Sequence, residues 1–280
     1  MFTFTKQTDL KLHLQTNHSQ KSIGFVPTMG ALHAGHLALI KQSMLENFVT
    51  VVSIFVNPTQ FNSADDLKKY PRTLDSDCRK IQNLSDDIIL FAPDVDDMYA
   101  GKTLSEHFDY DGLEFQMEGR HRPGHFDGVG TVVKKLFEIV NPTRAYFGEK
   151  DFQQLQIIKK MVEKHHLKVE VVGCPIFRES NGLAMSSRNE RLSPYEREEA
   201  KIIFETLLKA KTMFGTKSAK VVHQFVQSVF QSADGFVLEY FEIAFENTLL
   251  PCSEKLNGSH CRAFIAVFCG DVRLIDTMRF

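Results

Sequence analysis

The stretch "SIGFVPTMGALHAGHLALIKQSMLENFVTVVSIFV", residues 22–56, decides the fold class of this 280-residue chain. "SIGFVPT" is typical of a strand, and "GHLALIKQSMLEN" has the apolar period of a helix. "FVTVVSIFV" is a nearly continuous β-branched run, which indicates a strand buried on both faces of a parallel sheet. The stretch therefore predicts a strand–helix–strand unit, with His33 and His36 at its first junction.

The same alternation continues through the first two-thirds of the chain. "DIILFAP", "RAYFG" and "KVEVVGCPIF" resemble strands, and the segments between them carry helical periods. Alternation of this kind predicts a doubly wound parallel α/β sheet, which we assign to residues 1–177. Two long helical patterns and then three strand-like runs follow without alternation, so residues 178–280 are predicted to form a smaller C-terminal α+β domain.

Composition and charge exclude several classes of protein. Lys and Arg total 33 against 35 Asp and Glu, so no nucleic-acid surface is implied. No run approaches the ~20 apolar residues of a membrane span, and the N-terminus lacks the pattern of a signal peptide. Five cysteines (Cys78, Cys174, Cys252, Cys261 and Cys269) include no C-x-x-C pair, which favours free thiols over disulfides or zinc. We therefore expect a cytoplasmic enzyme without a membrane or nucleic-acid partner.

The histidine pair lies where a parallel sheet binds its ligands, beyond the carboxyl end of a strand. Gly30 and Gly35 permit a tight turn, and a helix that begins near Gly35 directs free N–H groups outward. This arrangement favours an anion, to which imidazoles can donate hydrogen bonds. Zinc is less favoured because no third ligand lies nearby in the sequence, and a purely structural role for both histidines stays open.

Polar residues follow other strands in the same way. In "FVNPTQF", Asn57 and Gln60 predict either a turn or a site for a neutral, hydroxylated group. In "FGEKDFQQLQ", Lys150 is suited to neutralise a phosphate, and Asp151 to hold Mg²⁺, bind a ribose hydroxyl or cap the next helix. Gln154 belongs to the first turn of that helix.

Two further clusters allow more than one interpretation. "MEGRHRPGHFDGVG" places Arg120, Arg122 and His125 either in a solvated loop, in the site or at a subunit interface. "GLAMSSRNERLS" is either a linker or a mobile lid that closes hydroxyls and a guanidinium over a triphosphate. Neither a P-loop nor a G-x-G-x-x-G fingerprint is present. The clusters together predict one site that is rich in phosphate-binding groups and has no obvious nucleophile.

The H-x-G-H motif with a later Ser/Arg-rich loop resembles the nucleotidyltransferase superfamily, whose domain is Rossmann-like. Within it, the chain is most similar to the pantoate–β-alanine ligase family. The motifs that carry this resemblance are "PTMGALHAGH", "FVNPTQF", "YPRTLDSD", "GRHRPGHFDGVGTVV", "FGEKDFQQL" and "GLAMSSRN", in that order, with "RLIDTM" at the end. One departure is Ala34, where the family usually has glutamate, and we expect it to alter packing and not chemistry.

The resemblance implies that ATP and pantoate form pantoyl adenylate, which β-alanine converts to pantothenate and AMP. It implies a homodimer and Mg²⁺ bound with ATP, with Asp151 as its candidate ligand. His36 is the implied proton donor, with His33, Lys150 and Arg188 beside it as catalytic groups. Gln60 and Gln154 are implied to bind pantoate, Gln60 also borders β-alanine, and we add Asn57 to this group. The implied ATP contacts are Met29, Gly30, Ala31, Leu32, His33, Ala34, Gly35, His36, Gly148, Glu149, Lys150, Asp151, Phe177, Met185, Ser186, Ser187 and Arg188.

Two other functions remain open from the sequence. Another nucleotidyltransferase of the superfamily would share the histidine pair but would not need Gln60 and Gln154 as acid-binding groups. A non-catalytic module with this fold would not need Lys150, Ser186 and Arg188.

Overall fold

A computed structural model describes residues 1–254, 258 and 260–280 of the chain. These residues form a six-stranded parallel sheet, in the order β1-β4-β3-β2-β5-β6, and a three-stranded antiparallel sheet, β7-β8-β9. The strands are β1 (Phe2–Phe4), β2 (Ile23–Thr28), β3 (Val49–Ile54), β4 (Ile89–Phe91), β5 (Arg144–Gly148), β6 (Glu170–Cys174), β7 (Phe236–Phe245), β8 (Cys261–Cys269) and β9 (Val272–Arg279). The predicted Rossmann-like parallel sheet and smaller C-terminal α+β part are confirmed.

Helices connect the parallel strands and cover the antiparallel sheet. They are α1 (Gln7–His18), α2 (Ala34–Glu46), α3 (Ala64–Lys69), α4 (Leu74–Gln82), α5 (Val95–Tyr99), α6 (Met117–His121), α7 (His125–Val140), α8 (Phe152–Lys164), α9 (Pro194–Glu199), α10 (Lys201–Phe214) and α11 (Ala219–Gln231). The first of the two long helical patterns, "YEREEAKIIFETLLKAKTMF" at residues 195–214, forms two helices that are divided at Ala200. Across the described residues, no helix combines the length and apolar character that a membrane crossing needs.

The parallel sheet is buried on both faces, as its β-branched runs predict. Phe25 and Val51 pack with α1, α7 and α8 on one face, whereas Val26 and Val52 pack with α2 and α4 on the other. All four side chains are fully buried. Because side chains alternate along a strand, one apolar run supplies two cores.

The strand order places the ligand-binding crevice. The chain reverses direction across the sheet at β2, which pairs with β3 on one side and with β5 on the other. Ligands of open α/β sheets bind beyond the carboxyl ends of the strands at such a switch point. The segments that follow β2 and β5 contain His33 and Lys150, so the fold brings the two predicted phosphate-binding segments together.

The C-terminal sheet packs partly on the first core and partly on its own. Ala244 of β7 and Phe264 of β8 join the core formed by α7 and α8. The other faces of these strands pack with α10 and α11, for example through Leu207 and Val226. The predicted division between residues 177 and 178 remains a prediction.

The expectation of five free thiols is wrong for two of the cysteines. Cys252 and Cys261 are joined by a disulfide, whereas Cys78, Cys174 and Cys269 are free. The backbone N–H of Cys252 donates to a carbonyl of β7 at 2.8 Å, and Cys261 begins β8, which pairs with β7. The fold thereby brings together two residues nine positions apart, which counting and spacing of cysteines did not reveal.

Candidate active site

A pocket of about 230 Å³ opens at the carboxyl ends of β2, β3, β5 and β6. Most residues that the sequence predicted for the site line it together. They are Met29, His33, Gly35, His36, Asn57, Gln60, Gly148, Lys150, Asp151, Gln154, Phe177, Met185, Ser186, Ser187 and Arg188. Of the predicted residues, Gly30, Ala31, Leu32, Ala34 and Glu149 are not among those that form its wall.

The two histidines form a stacked pair at the start of α2. Their ring centroids are 4.0 Å apart, and the backbone N–H of His33 donates to Nδ1 of His36 at 3.3 Å. Because Nδ1 of His36 accepts this bond, its proton lies on Nε2. Burial lowers the pKa of His36 well below 6.5, with further effects from His33, Lys150 and Lys80. Burial and Lys150 likewise lower the pKa of His33 to about 4, so both rings are neutral at pH 7.

The turn before the histidines is held by α4. Gly30 and Ala31 both have left-handed backbone conformations, with φ of 81° and 48°. The fully buried Asp77 carboxylate accepts the backbone N–H groups of Ala31 and Leu32, each at 2.8 Å. Lys80 donates to the Leu32 carbonyl at 2.6 Å. The sequence interpretation missed this role, because an Asp in the first turn of a helix is ordinarily explained by the helix dipole.

Lys150 and Asp151 follow β5 and point into the pocket as an ion pair. Lys150 Nζ lies 3.0 Å from Asp151 Oδ2, and the two side chains are 16% and 44% exposed. Asp151 precedes α8 but makes no side-chain cap bond, so its carboxylate remains available to a ligand. Glu149 turns away and pairs with Arg262 of β8 at 3.0 Å. Among the described residues, no cluster of three His, Cys, Asp or Glu side chains is arranged to hold a metal ion.

The Ser/Arg-rich segment is an ordered wall of the pocket. Ser187–Arg191 form a 3₁₀ helix, and Ser186 accepts the backbone N–H of Arg188 at 3.2 Å. Ser187 is buried and donates to the carbonyl of Ala31 at 3.2 Å, which joins this segment to the turn before the histidines. Arg188 forms an ion pair with Asp66 of α3 at 2.9 Å.

Hydrogen bonds from the buried Asn57 orient the side chain of Gln60. Asn57 is 1% exposed, and its amide nitrogen donates to Gln60 Oε1 at 3.2 Å and to the Gly128 carbonyl at 3.1 Å. Its oxygen accepts the Tyr99 hydroxyl at 2.6 Å. Both amide hydrogens of Asn57 are therefore used, and direct contact with a substrate would require one of these bonds to open.

The basic cluster around residue 122 divides between the site and the surface. His125 and Arg122 contact the Gln60 carbonyl at 2.8 and 3.3 Å. Since the carbonyl can only accept, the proton of neutral His125 lies on Nδ1. Burial and the nearby Arg122 lower the pKa of His125 to about 4. Arg120 is 56% exposed and pairs with Glu242 at 3.7 Å, so it belongs to the surface and not to the group that holds Gln60.

An apolar wall faces the polar groups, and the sequence interpretation missed it. Val129, Val132 and Val133 of α7 line the pocket together with Phe55. Their spacing along α7 is also that of an ordinary core helix, so the pattern alone did not distinguish a binding wall. Gly128 lets α7 pack closely against the backbone of Thr59, because a Cβ at residue 128 would lie 2.4 Å from the Thr59 carbonyl oxygen.

Partly buried ion pairs connect the C-terminal part to the surroundings of the site. Arg273 of β9 pairs with Glu118 of α6 at 2.7 Å, and Tyr240 of β7 donates to the same carboxylate at 2.6 Å. Burial raises the pKa of Glu118, but the bond and charge of Arg273 outweigh it and lower the pKa to about 2. Arg178, next to the pocket residue Phe177, pairs with Asp276 of β9 at 2.6 Å.

The sequence matches the family model described as Pantoate-beta-alanine ligase over residues 3–279. The pantothenate synthetase of Flavobacterium psychrophilum is 61% identical over 99% of each chain, and that of Bacteroides thetaiotaomicron is 51% identical over 97% of this chain and 96% of the relative. Pantothenate synthetase from Thermus thermophilus has a similar structure, with a TM-score of 0.91, 40% identity and 99% of each chain covered. Pantoate-beta-alanine ligase from Francisella tularensis, complexed with beta-gamma ATP and beta-alanine, has a TM-score of 0.82 and 36% identity, covering 99% of this chain and 97% of the other.

Proposed function

The chain belongs to the pantoate-beta-alanine ligase family, and from this premise we propose how its pocket carries out the reaction. It is an AMP-forming ligase that joins (R)-pantoate to β-alanine. ATP and pantoate first give pantoyl adenylate and pyrophosphate, and β-alanine then displaces AMP to form pantothenate. The relatives favour this function over another nucleotidyltransferase and over a non-catalytic module.

One observation carries the assignment of the residues: hydrogen-bond donors from three separate segments meet in one pocket. His33 and His36 follow β2, Lys150 follows β5, and Arg188 comes from the 3₁₀ helix after β6. Such donors stabilise the negative charge of a phosphate in its transition state. The hydroxyl groups of both serines bond to the backbone: Ser186 accepts the N–H of Arg188, and Ser187 donates to the carbonyl of Ala31.

Adenylation needs charge stabilisation and no enzyme nucleophile. The pantoate carboxylate is already ionised at pH 7 and attacks the α-phosphate itself. We assign His36 to donate a hydrogen bond from Nε2 as a neutral ring, beside Lys150 and Arg188. A neutral donor stabilises the growing charge on phosphate oxygens without pairing strongly with the attacking carboxylate.

The other end of the pocket suits pantoate. Gln60 and Gln154 offer neutral amides to its hydroxyl groups and carboxylate. The gem-dimethyl carbon of pantoate is apolar, and the wall formed by Val129, Val132 and Phe55 matches that chemistry. Arg122 and His125 act behind Gln60, by holding its backbone carbonyl.

The pocket residues are suited to a Mg²⁺ ion that binds together with ATP. Mg²⁺ in nucleotide sites is commonly held by one or two carboxylates together with substrate phosphates. Asp151 is one such carboxylate, it lines the pocket and it is not used as a helix cap. Mg²⁺ would neutralise phosphate charge there, and Asp151 is the residue that we assign to hold it.

The remaining proposals concern the assembly of the site. The acyl adenylate reacts with water, so we propose that residues 178–280 close over it as a lid domain. The contact of Arg273 with Glu118, which joins residues 178–280 to the parallel-sheet part of the chain, supports this proposal. We also propose a cytoplasmic homodimer, as the family resemblance implies, which sedimentation in solution and fractionation of cells would test.

Isotope exchange tests the function directly. Labelled pyrophosphate should enter ATP when pantoate alone is present, and AMP should appear only after β-alanine is added. Exchange that does not depend on pantoate, or no exchange at all, would contradict the proposal. A variant in which Ala substitutes for Lys150 serves as the catalytic control.

A further inference from the structure

The guanidinium that we assign to the triphosphate already has a carboxylate partner. Asp66 Oδ2 lies 2.9 Å from an Nη atom of Arg188, and Asp66 Oδ1 lies 3.8 Å from Arg191. The side chains of Arg188 and Asp66 are 26% and 31% exposed, so water screens the pair only in part. A phosphate that binds Arg188 therefore meets the negative charge of Asp66.

A second cavity, which Asp66 lines, adjoins the nucleotide pocket. It has a volume of about 350 Å³ and lies between α3 and the C-terminal sheet. It shares Lys150, Ser186 and Arg188 with the nucleotide pocket, so the two cavities meet at the phosphate end. Asp66 and Arg191 line the second cavity beyond this junction. A leaving group released at the phosphate end can therefore leave through a cleft lined by further cations, such as Arg191 and Arg273, and by carboxylates, such as Asp66 and Asp271.

Asp66 is held in place and is not a freely moving surface charge. Its backbone N–H donates to Ser63 at 3.3 Å at the start of α3. Tyr70, just beyond the end of α3, is 7% exposed, and burial raises its pKa, which the nearby Ser187 hydroxyl only partly offsets. Tyr70 thus anchors α3 beside the same segment that carries Arg188.

We propose that Asp66 is a positioning residue that competes with pyrophosphate for Arg188 and so promotes the release of pyrophosphate into the second cavity. The proposal rests on the ATP-binding role assigned to Arg188 above. While the triphosphate is bound, Lys150 would offset part of its charge, and Mg²⁺ held by Asp151 would offset more. Once the bond to the α-phosphate breaks, the carboxylate repels the separated pyrophosphate and pairs again with the guanidinium.

The test compares Asp66→Asn with Asp75→Asn, which makes the same charge change on an exposed residue that lines neither cavity. Pyrophosphate inhibition, the KM for ATP and kcat are measured, with thermal unfolding as a check of folding. For Asp66→Asn, we expect the inhibition constant of pyrophosphate to fall about three- to tenfold, as loss of a half-buried charge pair allows. The KM for ATP should also fall, and kcat should not rise. Asp66→Glu should return both constants toward those of the wild type.

Each result has a definite meaning. The effect should shrink in high salt, because the competition is electrostatic. A higher KM for ATP and weaker pyrophosphate inhibition in Asp66→Asn would overturn the proposal, since Asp66 would then align Arg188 for binding. Equal effects of Asp75→Asn, or no effect of Asp66→Asn, would also overturn it. Failure of the wild type to exchange pyrophosphate would overturn the proposed function itself, so the two failures are distinguishable.

Discussion

Replacing Asp77 by Asn should impair catalysis although Asp77 does not line the pocket. The carboxylate accepts two backbone N–H groups of the turn at residues 30–32, each at 2.8 Å, and it is fully buried. Asn has the same shape but only one acceptor oxygen, so its NH₂ group would face one of these N–H groups. Hydrogen bonds to a charged group each contribute about 1.5–3 kcal/mol. We therefore expect the free energy of unfolding to fall by about 2–3 kcal/mol.

The catalytic effect follows from the neighbouring residues. The turn leads directly into His33, and its Ala31 carbonyl accepts a hydrogen bond from Ser187. A shift of about 1 Å in reacting groups can lower a rate by ~10²-fold. We expect kcat for pantothenate formation to fall ~10- to 100-fold at a temperature where the variant remains folded. The KM for pantoate should change less, because Gln60 and Gln154 are held by other elements.

The assay combines urea unfolding with steady-state kinetics. Asp75→Asn is the matched control, since Asp75 is exposed on the same helix. A normal kcat in a destabilised Asp77→Asn variant would limit Asp77 to a structural role. Unchanged unfolding and unchanged kcat would refute the reasoning altogether.

Three further predictions follow from the site. His36→Ala should reduce pantoate-dependent pyrophosphate exchange by ~10²-fold without unfolding the chain, as loss of a charge-stabilising donor does, and near-normal exchange would exclude that role. Arg188→Ala should raise the KM for ATP in the exchange reaction and leave the attack of β-alanine on preformed adenylate nearly unchanged, and a defect confined to the β-alanine step would contradict this assignment. His125 has a pKa of about 4 in the folded chain against an ordinary value of 6.5, so the unfolded chain binds its proton first. The stability that depends on neutral His125 is therefore present above pH 6.5 and lost as the pH falls toward 4, at up to about 1.4 kcal/mol per pH unit. His33 and His36 have lowered pKa values as well, so urea unfolding between pH 7 and 5 should show the summed slope of these groups. His125→Gln should reduce that slope by the share of His125, and equal slopes in the two proteins would disprove the effect.

The sequence predicted the parts of the fold and site that depend on local pattern. β3 is a β-branched run, and this composition is sufficient to predict a strand buried on both faces. Once the strands are parallel, residues that follow different strands must meet at one edge. His33, Gln60 and Lys150 could therefore be grouped although they are far apart in the sequence.

The features that escaped prediction depend on partners chosen by the tertiary structure. Asp77 has the sequence context of an ordinary residue in the first turn of a helix, and only the docking of α4 against residues 30–32 gives it a second role. Ser186 and Arg188 were predicted to lie either in a linker or in a mobile lid, and only the tertiary structure shows that the buried Ser187 joins this segment to the turn at residues 30–32. The pairing of Cys252 with Cys261 likewise requires β7 and β8 to be adjacent.

The distribution of charge in the pocket suits the proposed adenylation step. Both substrates of the first step are anions, and a uniformly cationic site would bind the pantoate carboxylate strongly and reduce its ability to attack. Here the cations Lys150 and Arg188 each have a carboxylate partner, whereas Gln60 and Gln154, which we propose to bind pantoate, are neutral residues of the same pocket. His36 is neutral because burial lowers its pKa. The positive charges therefore act on the phosphate groups, where negative charge increases in the transition state. The arrangement favours the transition state over tight binding of either substrate.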